Sequence, residues 1–190
     1  MKPFQDYLAQ FPRYTDEAFA AVEEYLSVIE LEPGDYFLRA GQVNRTIAFI
    51  NSGLVRLYYN TDEKEVTQCF CRERSLTCSY ASLISNTPSE VSIQALELTQ
   101  LVLLPYPQLQ RLFEQYPFWQ QVGRLAAEAE YLVSTQHHRF LTDLTATQRY
   151  EQVLSQDAEL LQRVPLQHLA SYLQVSPATL SRIRSRLART

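Results

Sequence analysis

The apolar pattern of this chain changes period once, at Pro105, and that change limits what it can fold into. From about residue 30 to 105, apolar residues come in short runs separated by turn residues. Pro33-Gly34-Asp35 and Ala40-Gly41-Gln42 read as turns, and Asn51-Ser52-Gly53 fits a tight hairpin. Between them stand Tyr36–Leu38, Ile47–Ile50, Leu54–Tyr59, Val66–Cys71, Val91–Leu96 and Thr99–Leu104. Short strands at roughly 8–12 residue spacing predict a β-barrel or jelly-roll sandwich. Beyond Pro105, apolar residues recur every three or four positions, the helical period. The fold class expected is therefore α+β, strands first and helices after.

Residues 4–29 also read as helical, interrupted at Phe11–Glu17, with Thr15 placed to cap the second piece. After the strands, Pro107–Tyr116 is a short helix and Phe118 to about Phe140 a long one. Along the long helix Phe118, Val122, Leu125, Ala129 and Leu132 are spaced 4, 3, 4, 3. That heptad seam is narrower than the stripe a helix lays on a globular core, so it predicts a partner helix and a dimer interface. Thr145–Leu154 reads as another helix, and two more follow from Pro165. The expected division is residues 1–116 as an effector domain, 117–141 as a dimerisation helix and 142–190 as a helix-turn-helix domain.

A net charge of −4 disfavours a nucleic-acid partner until its distribution is read. From Arg163 on there are five arginines (163, 182, 184, 186 and 189) and no Asp or Glu, leaving 12 basic against 21 acidic residues before them. Such asymmetry marks a nucleic-acid-binding end. The motif inside this tail sharpens it. Leu169, Leu173, Val175, Leu180 and Ile183 supply the apolar contacts of a helix-turn-helix spanning Leu166–Ser185, and Ala170 is the small residue at the crossing. Ser176-Pro177 opens the second helix as N-cap and first-turn proline. Its exposed face is expected to be Pro177, Ala178, Ser181, Arg182, Ser185 and Arg186. Arg182 has the fork for guanine O6 and N7, and Gln167, Ser176 and Thr179 carry short polar groups suited to phosphate oxygens. At the turn, where glycine is common, stands Gln174, which implies a left-handed residue or another turn.

Other classes are set aside on residue content. No apolar run approaches the ~20 residues of a membrane span, and the N-terminal residues lack a signal-peptide layout. Three cysteines, Cys69, Cys71 and Cys78, make no disulfide framework, so a reducing cytoplasm is expected. His137, His138 and His168 all lie beyond the strands, and adjacent His137 and His138 diverge by about 100° on a helix. No metal site, cofactor or catalytic grouping is expected, and the chain is read as a non-enzyme.

With these residues in view, the chain resembles the cyclic-AMP receptor protein/FNR superfamily of bacterial regulators over roughly residues 28–187. The resemblance rests on Pro33-Gly34-Asp35 with Gly41, on Phe49-Ile50-Asn51-Ser52-Gly53-Leu54-Val55-Arg56, on the long helix, and most specifically on Leu169 to Ile183. It implies a jelly-roll effector domain, a dimerisation helix, and a dimer on a pseudo-palindromic DNA site with half-sites one helical turn apart. RNA polymerase is a further candidate partner. At matching positions Arg182 would read bases, and Gln167, Ser176 and Thr179 would hold the backbone, with Arg186 beside them. Pro177 and Ala178 occupy the two other base-reading positions and cannot donate a side-chain hydrogen bond. After Ile183 seven residues remain, too few for the usual wing. The stretch matching the nucleotide-phosphate cassette runs Thr77–Leu83 to Thr87–Val91: Cys78 stands at the glycine, Ser79 at the ribose-binding glutamate and Ser89 at the phosphate-binding arginine. Cyclic nucleotide is therefore not expected to bind, and Cys78, Ser79, Tyr80 and Ser89 are the residues to inspect for another effector. Two alternatives stay open: a sensor or scaffold that no longer binds DNA, and a thiol or iron–sulfur redox sensor built on the cysteines.

Overall fold

The computed structural model describes residues 1–188. Arg189, counted above in the basic tail, lies outside them. The chain divides into two compact units, one of Met1–Tyr59 with Cys69–Glu128, the other of Asn60–Gln68 with the chain from Ala129 on.

The first unit opens with α1 (Lys2–Leu8) and α2 (Asp16–Glu23). Thr15 caps α2 as expected, its Oγ1 accepting the Ala18 N–H at 3.1 Å, with Asp16 and Glu17 favourably placed in the first turn. Eight strands follow: β1 (Ser27–Leu31), β2 (Tyr36–Leu38), β3 (Thr46–Ser52), β4 (Leu54–Asn60), β5 (Glu65–Arg72), β6 (Leu76–Thr77), β7 (Val91–Ala95) and β8 (Thr99–Pro105). They form two four-stranded sheets, ordered β1-β8-β3-β6 and β2-β7-β4-β5, a jelly roll. Helix α3 (Tyr80–Ser85) lies between β6 and β7, and α4 (Tyr106–Gln115) and α5 (Pro117–Thr142) follow β8.

Two expectations are corrected here. Residues 27–29 are strand, because β1 pairs antiparallel with β8, Val28 opposite Val102 and Ile29 opposite Leu101; a ladder partner lets the β-branched pair keep its extended preference. Gly53 does not turn a hairpin: β3 and β4 belong to different sheets, and Gly53, at φ +100°, carries the chain from one to the other. A Cβ there would lie 2.6 Å from Thr99 Cα and 2.7 Å from Leu98 O.

Strand alternation explains the two apolar layers. Ala48 and Ile50 face the inter-sheet core with Val55, Ile93, Ala95 and Leu101. Phe49, between them, joins Val102 and Leu104 in a second cluster with Phe4, Leu8, Val22, Leu109 and Trp119. Buried on both faces, β3 reads as an unbroken apolar run, Ile47-Ala48-Phe49-Ile50. The Trp119 indole N–H donates to Ala18 O at 2.9 Å, fastening the start of α5 to α2.

The second unit holds the end of α5 with α6 (Ala146–Gln156), α7 (Leu160–Arg163), α8 (Leu166–Tyr172) and α9 (Pro177–Leu187). Thr145 and Gln148 form a capping box at α6. The rings of His137, Phe140 and Tyr172 stack with centroids 5.4–6.0 Å apart, joining α5 to α8. Ser171 Oγ, on α8, donates to Glu65 O and accepts from Thr67 N, both at 2.9 Å. Among the described residues no strand follows α9, and no helix is long and apolar enough to cross a membrane.

Candidate nucleic-acid interface and effector cassette

The α8–α9 pair has the internal construction of a helix-turn-helix. Leu169, Ala170, Leu173 and Leu180 are fully buried, Ile183 nearly so, and Val175 half-buried. Ala170 lets the turn close against α8, its carbonyl accepting the Val175 N–H at 3.0 Å. Gln174 takes the left-handed conformation, φ +52°, so the tight turn is made without glycine. The Ser176 hydroxyl accepts the Thr179 N–H at 3.2 Å and lies 2.9 Å from Thr179 Oγ1; Pro177 occupies the first turn.

With Leu180 and Ile183 turned inward, the helical period leaves Pro177, Ala178, Ser181, Arg182, Ser185 and Arg186 exposed, the face expected from sequence. No acidic residue stands on α9. Among the described residues Arg182 makes no hydrogen bond or ion pair, so its five donors face water. Arg186 differs: its Nη2 donates to Thr147 Oγ1 at 2.6 Å, which ties it to the start of α6. Arg163 pairs with Glu159 at 3.3 Å. Gln167 is exposed on α8, its Nε2 3.5 Å from His168 Nε2. Arg184, also exposed on α9, was not singled out from sequence; its position off the predicted face gave no signal.

The five heptad positions of α5 have different surroundings. Phe118 and Val122 are buried in the core of the first unit, Leu125 is half-buried, and Ala129 and Leu132 are exposed. Around the last two, Tyr131 is 71% exposed, Leu132 57% and Val133 54%. An apolar stretch this open on a helix needs a covering partner or a reason to stay wet.

The stretch around Ser79 and Ser89 is closed on itself by short neutral groups. Ser89 Oγ lies 2.9 Å from Ser79 Oγ and 2.7 Å from Val91 O. Asn44 Oδ1 accepts the Ser79 N–H at 3.0 Å, while Asn44 N–H donates to Ser82 Oγ at 2.9 Å. Asn44, Ser79, Ser82 and Ser89 are all buried. Buried hydroxyls must find partners, and these find one another. A phosphate here would meet no cationic donor among these groups. Tyr80, the next residue, leaves this network: its ring lines an apolar cavity on the helix-covered side of the β3–β8 sheet. Asn44 and Ser82 join this network without having been singled out from sequence; a lone Asn after a turn carries no marker, and Ser82 lay inside the matched stretch without a role.

Cys69 and Cys71 pack half-buried beside the inter-sheet core, Cys78 is half-buried, and none of the three is in a disulfide. Among the described residues no group of three or more His, Cys, Asp or Glu is gathered as metal ligands would be.

Comparison with known proteins agrees with this layout. The family model of the cyclic nucleotide-binding domain matches residues 28–116. No curated protein matches the sequence. Solved structures with the same fold include FixK2 from Bradyrhizobium japonicum, at a TM-score of 0.76 and 14% identity, covering 86% of this chain and 85% of that one. The c-di-GMP-responsive global regulator CLP of Xanthomonas campestris aligns at 0.72 and 18%, over 92% of both chains. A transcriptional regulator of the Crp/Fnr family from Eubacterium rectale aligns at 0.73 and 14%, over 94% of this chain and 85% of the other.

Proposed function

We propose that this chain, which carries a cyclic nucleotide-binding domain and has the fold of the Crp/Fnr regulators, is a cytoplasmic transcription regulator that binds duplex DNA as a homodimer. It acts by binding rather than catalysis. The observation that carries the reading is the exposed, acid-free face of α9, held outward by buried Leu180 and Ile183 and presenting the unengaged fork of Arg182. In this reading α9 enters the major groove, and Gln167, Ser176 and Thr179 lie toward the phosphates. Arg186 joins them after exchanging its Thr147 partner for a phosphate. Residues 117–141 form the dimerisation helix, with Leu125, Ala129 and Leu132 at the seam and Tyr131 and Val133 flanking it. Residues 1–116 are the effector domain and 142–190 the DNA-reading domain.

The protein is not controlled by cyclic AMP, because the cassette that would hold the phosphate is neutral and its hydroxyls are already satisfied. Calorimetry with cyclic AMP and cyclic GMP is expected to detect no micromolar binding. The reading as a whole is tested by selecting bound sites from a random duplex pool, followed by titration at several salt concentrations. A palindromic consensus with half-sites about one helical turn apart and steep salt dependence is expected. A folded, dimeric protein with no sequence preference at moderate salt would instead identify a sensor or scaffold.

A further inference from the structure

The cavity that Tyr80 lines includes none of Asn44, Ser79, Ser82 and Ser89 in its walls. It has a volume of about 110 Å³ and sits between the β3–β8 sheet and the helices that cover it, α1, α4 and the start of α5. Its walls include Phe4, Phe49, Phe113 and Trp119, and no charged side chain lines it. The side-chain polar atoms in the lining are the hydroxyls of Tyr80 and Tyr106 and the Trp119 indole, whose N–H is already given to Ala18 O.

Two local costs meet at this place. Interiors normally close voids larger than a water molecule, because wall atoms facing a gap lose dispersion contacts. A glycine inside a helix also lowers helix stability. Here Gly123 stands within α5 on the cavity wall, and a Cβ in its place would lie 2.7 Å from the Phe113 ring, itself part of the lining. The glycine lets Phe113 lie against the helix as a wall. Local rules broken together mark functional places in folds.

We propose that this cavity is a binding site for a compact, uncharged molecule about the size of one aromatic ring. Size and chemistry set the class. A cavity of roughly 150 Å³ lined by Leu, Ile and Phe accepts benzene, and the present volume is of that order. A charged ligand would give up its hydration with no counter-charge in the lining, whereas one hydroxyl or carbonyl could meet a tyrosine hydroxyl. The site needs no DNA and stands or falls apart from the regulator reading.

The chain's single tryptophan is in the wall, so its emission reports occupancy directly. Bromobenzene, whose heavy atom quenches an indole in contact, is titrated into the full-length protein while Trp119 fluorescence is recorded, and toluene is added during thermal melts. Saturable quenching and a rise in melting temperature with toluene are expected. Ala126→Phe places a ring in the cavity from a half-buried position on α5; it should keep a cooperative melt and weaken bromobenzene binding at least tenfold. If that variant does not fold, Leu76→Phe fills the space from the sheet side. Quenching that stays linear to the solubility limit, or that saturates alike in wild type and the filled variant, overturns the proposal.

Discussion

Arg182→Ala separates base reading from mere charge. Arg182 is exposed and has no hydrogen-bond or ion-pair partner among the described residues, while α9 is held by Leu180 and Ile183, so the substitution removes no packing. Alanine is also a good helix former, and folding stability should move by less than about 0.5 kcal/mol. A bidentate arginine–guanine pair is worth about 1–3 kcal/mol. A symmetric dimer carries two, so the loss on the selected site should be about 2–6 kcal/mol, roughly 30-fold to 10⁴-fold in Kd. Fluorescence anisotropy on the selected duplex and on a scrambled one, each across a salt series, measures it. The loss should fall on the selected duplex and flatten preference at one base pair per half-site. Arg182→Lys should recover little, because an ammonium keeps the charge but not the fork. An equal loss on both duplexes, with a shallower salt dependence, would show a phosphate contact and refute base reading. No loss on either would mean that this face of α9 does not meet DNA.

Other substitutions test the fold that presents this face. Gln174→Gly should raise stability by up to about 1 kcal/mol in urea denaturation, since a left-handed residue with a Cβ costs about 1–2 kcal/mol and glycine's chain entropy returns part of it; a loss would show that the Gln174 side chain contributes more than its backbone costs. Gly53→Ala should cost about 2–4 kcal/mol, because φ is +100° and the new Cβ meets backbone atoms of Leu98 and Thr99; an unchanged midpoint would mean that the inter-sheet corner relaxes freely. Burial in the stack with Phe140 and Tyr172 lowers the pKa of His137, so the fold favours the neutral ring. The unfolded chain then binds the proton more readily. The stability linked to this group is complete above about pH 6.5 and is lost as pH falls from there through the lowered folded value. His137→Phe, which keeps an aromatic ring, should remove that share of the acid-side decline in denaturation midpoints, and identical pH profiles would dismiss it.

Most strand positions, though not β1 or β6, and the helix-turn-helix were legible because local chemistry and global fold agree there. Ser176-Pro177 caps α9 whatever surrounds it, and the spacing of Leu169, Leu173, Leu180 and Ile183 buries one face at any packing partner's expense. A turn without the usual glycine left a left-handed Gln174 or a different turn open, and the structure has the first. Short or ambiguous elements were not legible. Residues 27–29 fit a helical stripe and a strand equally well, and pairing with β8 chose between them. Asn51-Ser52-Gly53 satisfies a hairpin turn, but which strands it joins depends on the sheet each neighbour enters. Of the residues proposed for an effector, Ser79 and Ser89 lie in hydrogen-bond contact. Tyr80 departs from them because consecutive residues opening a helix point in different directions.

By itself, then, the sequence determined the two periodic regimes, the basic, acid-free character of α9 and the neutral character of the stretch around Ser79 and Ser89, since charge, turn chemistry and apolar spacing are written residue by residue. Only the tertiary structure decided that Phe118 and Val122 serve the core of the first unit while Leu132 stays exposed. Only it decided that Arg182 is unengaged where Arg186 is held, and that a single tryptophan, a helical glycine and Tyr80 surround one apolar cavity. Those are meetings of residues tens of positions apart, and their distances follow from packing that no local pattern specifies.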